Sequence, residues 1–279
     1  MARHALLIGI NRYLIPGADL RGCVNDVNNI RAALLQYFGF RSSDIRMLTD
    51  LRATKAAMQS AISALVGSGR KADVLYLHYS GHGSNVPDKN GDEADHRDEI
   101  LCPSDLDWKD PLTDDWLRST FDRLRARVNL TVVMDCCHSG TNTRAILPPD
   151  APVIARYLPN PWDLMAEESR RGLRGTYRRA LHARAARRRA DVVEADIGEV
   201  LITGCRATQT SADAYIGRTY NGALTYSLVA AIRATRGKLT NRELHALTLR
   251  KLKAGDFDQV PQLEARRAAF DEQFLAPKV

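Results

Sequence analysis

Two apolar runs, each ending abruptly in reactive side chains, constrain this chain more than any other feature. Asp73-Val74-Leu75-Tyr76-Leu77-His78-Tyr79 runs into Ser80-Gly81-His82-Gly83. Leu130-Thr131-Val132-Val133-Met134 runs into Asp135-Cys136-Cys137-His138-Ser139-Gly140. Runs of β-branched and aliphatic residues without polar alternation suit strands covered on both faces, as in a parallel α/β sheet. Open sheets of that kind place their sites at the carboxyl ends of strands. A histidine and a cysteine are therefore expected at one sheet edge.

The rest of the chain alternates strand and helix patterns, the signal for βαβ units. A first strand is predicted at Ala5–Ile10 and a helix at Asn25–Phe38, with Val27, Ile30, Leu34 and Tyr37 on one face and Gly39 as its stop. A short strand near Ile45–Leu48 and a helix at Thr54–Val66 follow. The His-bearing strand leads into an acidic loop, Pro87–Asp98, then a strand or turn region at Glu99–Leu106 and a helix at Thr113–Leu124. After Gly140 the pattern breaks: residues 141–196 hold Pro148, Pro149, Pro152, Pro159 and Pro161 and then an arginine-rich tract, with little sheet signal. A strand at Glu199–Thr203 and helices at Ala223–Arg236 and Asn241–Ala254 complete the reading. The expectation is one α/β domain over residues 1–279, with a central, mostly parallel sheet and helices on both faces.

No apolar run approaches the about 20 residues of a membrane span, and the opening MARHALLIGINRY reads as a first strand rather than a signal peptide. Five cysteines (Cys23, Cys102, Cys136, Cys137, Cys205) form no spaced framework, and no CxxC pair points to zinc. Their odd number argues for reduced thiols and a cytoplasmic setting. The net charge of +7 would ordinarily raise nucleic acid as a partner. Its location weakens that reading. Arg170, Arg171, Arg174, Arg178, Arg179, Arg184, Arg187, Arg188 and Arg189 face only Glu167 and Glu168 within one tract, and the remainder of the chain is neutral.

A thiol becomes a strong nucleophile as its thiolate, and a neighbouring histidine promotes that form. His82 and Cys137 are the candidate couple. The glycines around His82 let a substrate backbone approach closely, and the amides of Gly83 and Cys137 are candidates for an oxyanion hole.

At this point the residues resemble a family. Tyr79-Ser80-Gly81-His82-Gly83 and Asp135-Cys136-Cys137-His138-Ser139-Gly140 are similar to the two signatures of metacaspases and their prokaryotic relatives, in the caspase-haemoglobinase clan of cysteine peptidases. LLIGINRY, LRGCVNDV, GDEADHRDEILCPSD, LITGCRATQTSADAY and NGALTYSL also resemble family blocks. The resemblance implies a caspase-like three-layer sandwich, with a large-subunit-like segment at 1–140, a processing insert at 141–196 and a small-subunit-like segment at 197–279. It implies His82 as general base and Cys137, directly before His-Ser-Gly, as nucleophile. Cys136 stands where Ser is common and is assigned to packing.

The family's specificity pocket is acidic. The matching positions are Asp26 and Asp135, with Cys23 and Ser80 as walls, and two carboxylates in a desolvated pocket prefer a guanidinium or an ammonium group. The resemblance thus implies protein substrates cut after Arg or Lys. No cofactor is needed for that chemistry, but calcium is implied as a possible activator through Asp98, Asp114 and Asp115, oxygen donors suited to a hard cation. Thr141-Asn142-Thr143-Arg144 stands where a further family acid can occur. A basic-selective peptidase with an exposed arginine tract between its halves is its own potential substrate, so processing by itself or by an upstream peptidase is expected in the tract. The alternatives are a catalytically silent interaction module and a nucleic-acid-binding arm.

Overall fold

Strands hydrophobic on both sides need helices on both sides, and that is how the chain is layered. The structure is a computed structural model and describes residues 1–88, 96–138, 153–165, 191–206 and 209–278. The first half carries strands β1 (Arg3–Gly9), β2 (Ile45–Thr49), β3 (Val74–Ser80), β4 (Gly83–Pro87), β5 (Arg97–Leu101), β6 (Leu112–Thr113) and β7 (Asn129–Asp135). Its helices are α1 (Cys23–Tyr37), α2 (Lys55–Ser68) and α3 (Asp114–Phe121). Then come β8 (Val153–Ala155), β9 (Val192–Glu194), β10 (Val200–Thr203), β11 (Ala212–Ile216), β12 (Thr219–Gly222) and β13 (Gln262–Ala265). Helices α4 (Ala223–Thr235) and α5 (Asn241–Ala254) lie between the last two strands.

Seven strands form the central sheet in the order β2-β1-β3-β7-β10-β13-β9. β2, β1, β3, β7 and β10 run parallel, and β13 joins antiparallel to β10. Every residue of β3 and β7 is buried, as their unbroken apolar pattern requires. Alternate side chains serve two cores. Leu6, Ile8, Leu75, Leu77, Leu130 and Val132 pack towards Met58, Ile62 and Leu65 of α2 and Phe121 of α3. Leu7, Val74, Tyr76, Val133 and Ile202 pack towards Ile30 and Leu34 of α1 and Leu224, Leu228 and Ile232 of α4. Each core is thus a helix layer on one sheet face, which makes the three-layer α/β sandwich of the caspase-like type.

The order also fixes where a site can form. β1 is followed through α1 to β2 on one side, while β3 lies on the other, so the strand order reverses between β1 and β3. Crevices open at such reversals, beyond the carboxyl ends of the strands.

Two regions differ from the expectation. The insert is not sheet-free: β8 pairs antiparallel with β11, and β9 extends the main sheet beside β13. The segment after His82 is not simply a loop, because β4, β5 and β6 form a small antiparallel sheet. These strands have two to five residues and no long apolar run, so tertiary pairing makes them rather than local pattern. No helix among the described residues is long and apolar enough to cross a membrane.

Gly9 ends β1 where α1 crosses it. A Cβ there would lie 2.6 Å from the Cys23 carbonyl oxygen and 2.9 Å from a Val27 methyl. Gly9→Ala should therefore destabilise the fold by about 1–3 kcal/mol through overpacking, measured as a lower denaturant midpoint. An unchanged midpoint would show that α1 can slide freely on the sheet.

Candidate active site

β3 and β7 lie side by side in register, with Ser80 opposite Asp135. The residues that follow each strand, His82 and Cys137, consequently emerge at one edge. His82 is held on every side. Its Nε2 lies 2.9 Å from the Ala18 carbonyl oxygen, and since a carbonyl only accepts, this nitrogen carries the proton. Its ring tilts against Tyr13 at 5.1 Å, its backbone N–H donates to the Tyr13 hydroxyl, and its carbonyl accepts from Tyr79. Nδ1 is buried and has no hydrogen-bond partner among the described residues. Burial lowers the imidazole pKa to about 4, with the Ala18 carbonyl opposing the shift. Although it follows the strand as a loop residue, only 4% of His82 is accessible.

Cys137 is fully buried. Its Sγ accepts from the Ser211 N–H and lies 3.4 Å from Cys205 Sγ, whose own pKa is raised by that contact and by burial. Among the described contacts of the thiol, none is to His82. Cys136 packs into the α2-side core, 3.6 Å from His138 Nε2.

The backbone N–H groups of Gly83 and Cys137 converge on a single oxygen, the carbonyl of Arg156, each at 3.1 Å. Arg156 directly follows β8, in the insert. Its amide donates to the Ser211 carbonyl at 2.9 Å, and Leu158 donates to the Gly83 carbonyl at 3.0 Å. A peptide segment thus crosses the crevice in extended form, its carbonyl on two amides beside the cysteine.

The Arg156 side chain runs down into a pocket of acids and is completely buried. Nη2 lies 2.7 Å from Asp26 Oδ2 and 3.0 Å from Asp213 Oδ1, while Nη1 lies 3.1 Å from Asp135 Oδ2 and donates to Ser80 Oγ at 2.7 Å. The Ser80 hydroxyl in turn donates to Asp26 Oδ2 at 2.7 Å. Burial works against the guanidinium charge, but Asp135 and the other carboxylates hold its pKa well above the usual value. Burial also raises Asp26 to about 6 against the lowering effect of Arg156. Cys23, one turn before Asp26 on α1, is buried beside the same charges, its pKa raised by burial.

The structure therefore brings together His82, Gly83, Cys137, Asp26, Asp135, Cys23 and Ser80. Sequence reasoning missed two members. Asp213 stands in the quoted block LITGCRATQTSADAY, where its acid drew no notice, and the chain fold carries it across to accept from the amides of Arg21 and Gly22. Arg156 is the one basic residue in Pro152-Val153-Ile154-Ala155-Arg156-Tyr157-Leu158-Pro159, a short β-rich run bounded by prolines. That bounded run was the available signal.

Other expected residues stand apart. Asp98 on β5 and Asp114 and Asp115 at the start of α3 are drawn together by β5–β6 pairing. Among the described residues, however, no group of three or more His, Cys, Asp or Glu is arranged to hold a metal ion. The nine arginines from Arg170 to Arg189 lie outside the described residues.

The buried imidazole generates a pH prediction. Folded His82 binds its proton only near pH 4, whereas an unfolded histidine does so near ~6.5. Between those values the unfolded chain holds more protons, so stability falls as pH drops through the window. His78, lowered by burial to about 4, acts in the same sense; Asp26, raised to about 6, opposes both. In a Cys137→Ala background, His82→Gln should reduce the slope of unfolding free energy across this window by about 1.4 kcal/mol per pH unit. Denaturant titrations at stepped pH measure it, and an unaltered slope would mean a solvated ring.

Comparison with known proteins agrees with the fold. The profile of the metacaspase peptidase C14 domain matches residues 3–145. Metacaspase-1 of Pyricularia oryzae is 33% identical over 94% of this chain and 71% of its own length, and Metacaspase-1B of Neosartorya fischeri is 33% identical over 94% and 68%. A crystal structure of a Geobacter sulfurreducens protein superimposes with a TM-score of 0.69, at 26% identity and 99% coverage of both chains. Caspase-1 from Spodoptera frugiperda shares the fold, with a TM-score of 0.56 at 14% identity over 95% of this chain and 87% of its own. By its sequence relatives, its profile match and its fold, the chain belongs to the metacaspase family of cysteine peptidases.

Proposed function

We propose that His82 and Cys137 form the reacting couple of an endopeptidase that cuts protein chains after arginine and, less well, after lysine. The observation that carries this reading is Arg156. A peptide arginine fits the crevice with its carbonyl oxygen on the amides of Gly83 and Cys137 and its guanidinium among Asp26, Asp135 and Asp213. Amides fixed in that way stabilise the charge that grows on a carbonyl oxygen under attack. The Ala18 carbonyl keeps the His82 proton on Nε2, which leaves the Nδ1 lone pair to take the thiol proton and return it to the leaving amine.

The pocket's acceptors explain the preference for arginine. They address both terminal nitrogens, while Nε finds no hydrogen-bond partner among the described residues. A lysine ammonium places one nitrogen where arginine places two, and so forfeits some of these contacts. Aspartate substrates meet three carboxylates and are excluded.

In the arrangement described, the thiol rests against Ser211 and Cys205, and the crevice is filled. Catalysis on other chains requires residues 153–158 to leave, which makes cleavage within the insert the natural trigger. The thiol's present partners would equally suit a catalytically silent module, and the two readings separate on activity. Calcium takes no step in this account.

Cys137→Ala should abolish cleavage of a fluorogenic arginine peptide, while Cys136→Ala, altering only core packing, keeps most of it. A folded Cys136→Ala protein without activity would overturn the assignment of nucleophile. Arg21 donates to Asp213 Oδ2 and Gly22 to Oδ1, so Asp213→Asn keeps one of these two acceptors while it removes a charge-assisted contact of about 1.5–3 kcal/mol. At about 1.4 kcal/mol per tenfold, kcat/KM for arginine peptides should fall at least about tenfold. Equal cleavage of arginine and aspartate peptides by the wild type would sink the acidic-pocket reading.

A further inference from the structure

We propose that the Arg156–Tyr157 bond is the chain's own substrate, cut in cis, and that residues 153–158 are a substrate strap whose cleavage frees the pocket. The proposal rests on the peptidase reading above and moves the processing site away from the Arg170–Arg189 tract.

The strap is engaged along its whole length as a substrate would be. Before the bond, β8 pairs antiparallel with β11, Ala155 opposite Ala212 and Val153 opposite Ala214. At the bond, the Arg156 carbonyl meets the two amides while its side chain fills the acid pocket. Beyond it, Tyr157 bridges in parallel to Gly83, and Ser84 Oγ donates to the Leu158 carbonyl at 2.6 Å. Further anchors follow: Asn160 is buried and donates to the Asn85 carbonyl, Asp163 pairs with Arg97 at 2.6 Å, and Trp162 meets Trp108 edge to face. A segment that merely covered a crevice would need no carbonyl on the two amides and no cation in the pocket.

Cys137 must swing from Ser211 and Cys205 to the Arg156 carbonyl carbon. Its thiol proton passes to His82 as the Cys137 Sγ–C bond forms. The Arg156 C–N bond then breaks, and His82 returns the proton to the Tyr157 nitrogen, which leaves as a free amine. Water hydrolyses the thioester, leaving a carboxylate on Arg156 and the thiol restored. Nothing beyond water is consumed. The strap residues before the bond are then held at one end only, and an arriving chain competes with them for β11 and the pocket.

The burial of Arg156 dictates cis cleavage, because a bond whose side chain is wholly enclosed in its own crevice cannot enter a second molecule's. The test uses the full chain. Purified wild type should contain a fragment ending at Arg156 and another beginning at Tyr157, by intact mass and N-terminal sequencing, and Cys137→Ala should not. Tagged Cys137→Ala incubated with active wild type should keep its Arg156–Tyr157 bond even where other arginine bonds are nicked. Arg156→Gln would leave three carboxylates facing one another and endanger folding. Tyr157→Pro is the safer variant: the Tyr157 N–H takes no part in the Gly83 ladder, whose bonds run through Arg156 O and Leu158 N. With melting unchanged, Tyr157→Pro should stay uncut at this position and cleave an arginine peptide at least tenfold more slowly than wild type. Wild type active on that peptide with the Arg156–Tyr157 bond intact, or Tyr157→Pro fully active, overturns the strap while the peptidase reading stands. Rapid cutting of Cys137→Ala at this bond in trans overturns the cis route. Absence of both self-cleavage and peptide cleavage defeats the two together.

Discussion

A guanidinium cut off from water must find its counter-charges inside the protein, and the centre of this molecule is built around one. Asp26 comes from α1, Asp135 from the end of β7 and Asp213 from β11, three elements far apart in sequence. Each carboxylate is itself satisfied: Asp213 by the amides of Arg21 and Gly22, Asp26 by Gly222 and Ser80, Asp135 by Thr225 and Ser211. Close approach leaves no room for side chains at two points. A Cβ on Gly22 would strike the Asp213 carboxylate, and one on Gly222 would strike Asp135 and Arg156. The pocket is thus a place where helix start, strand ends and hairpin are locked together by charge. With three acids to one cation, it remains poor in positive charge even when filled, which is the electrostatic basis of the proposed preference for a basic side chain.

The same enclosure governs the proposed reacting couple, His82 and Cys137. Neutral imidazole is favoured because burial disfavours its cation, and the thiol sits with Ser211 and Cys205 rather than with the base. A thiolate–imidazolium pair gains from water and from the electrostatic field of an open crevice. On the proposed reading, filling the crevice with the chain's own segment restrains selectivity pocket and nucleophile together, and emptying it restores both.

What was legible in the sequence follows the strength of local signal. β3 and β7 are continuous apolar runs buried on both faces, and their ends carry His82 and Cys137 in motifs with few other readings. α1, α2, α4 and α5 show ordinary amphipathic periodicity, and their limits fall within about two residues of the expected ones. Asp26 and Asp135 could be named because they sit inside those motifs. β4, β8, β11 and β12 were not legible, because strands of three to five residues in small three-stranded sheets owe their existence to tertiary pairing rather than to local pattern. Arg156 was hidden for the same reason. Nine arginines in the following tract drew attention by number, while the one that matters to the pocket is identified only by the pairing of β8 with β11.

That pairing bears on how selective such a site can be. Along β8 the contacts to β11 run through backbone groups, which are the same for any residue but proline. Val153 is 42% exposed, and Ile154 and Ala155 are only partly buried. Arg156 alone is enclosed completely. On the proposed reading, recognition built in this way concentrates discrimination on the single residue before the cut bond and leaves its neighbours nearly free, subject to their adopting an extended form. Such an enzyme would read accessible, extended arginine segments rather than a long motif. A crevice that undemanding needs an occupant of its own until it is wanted, and a strap with arginine at the one position that matters is the occupant its chemistry admits most readily.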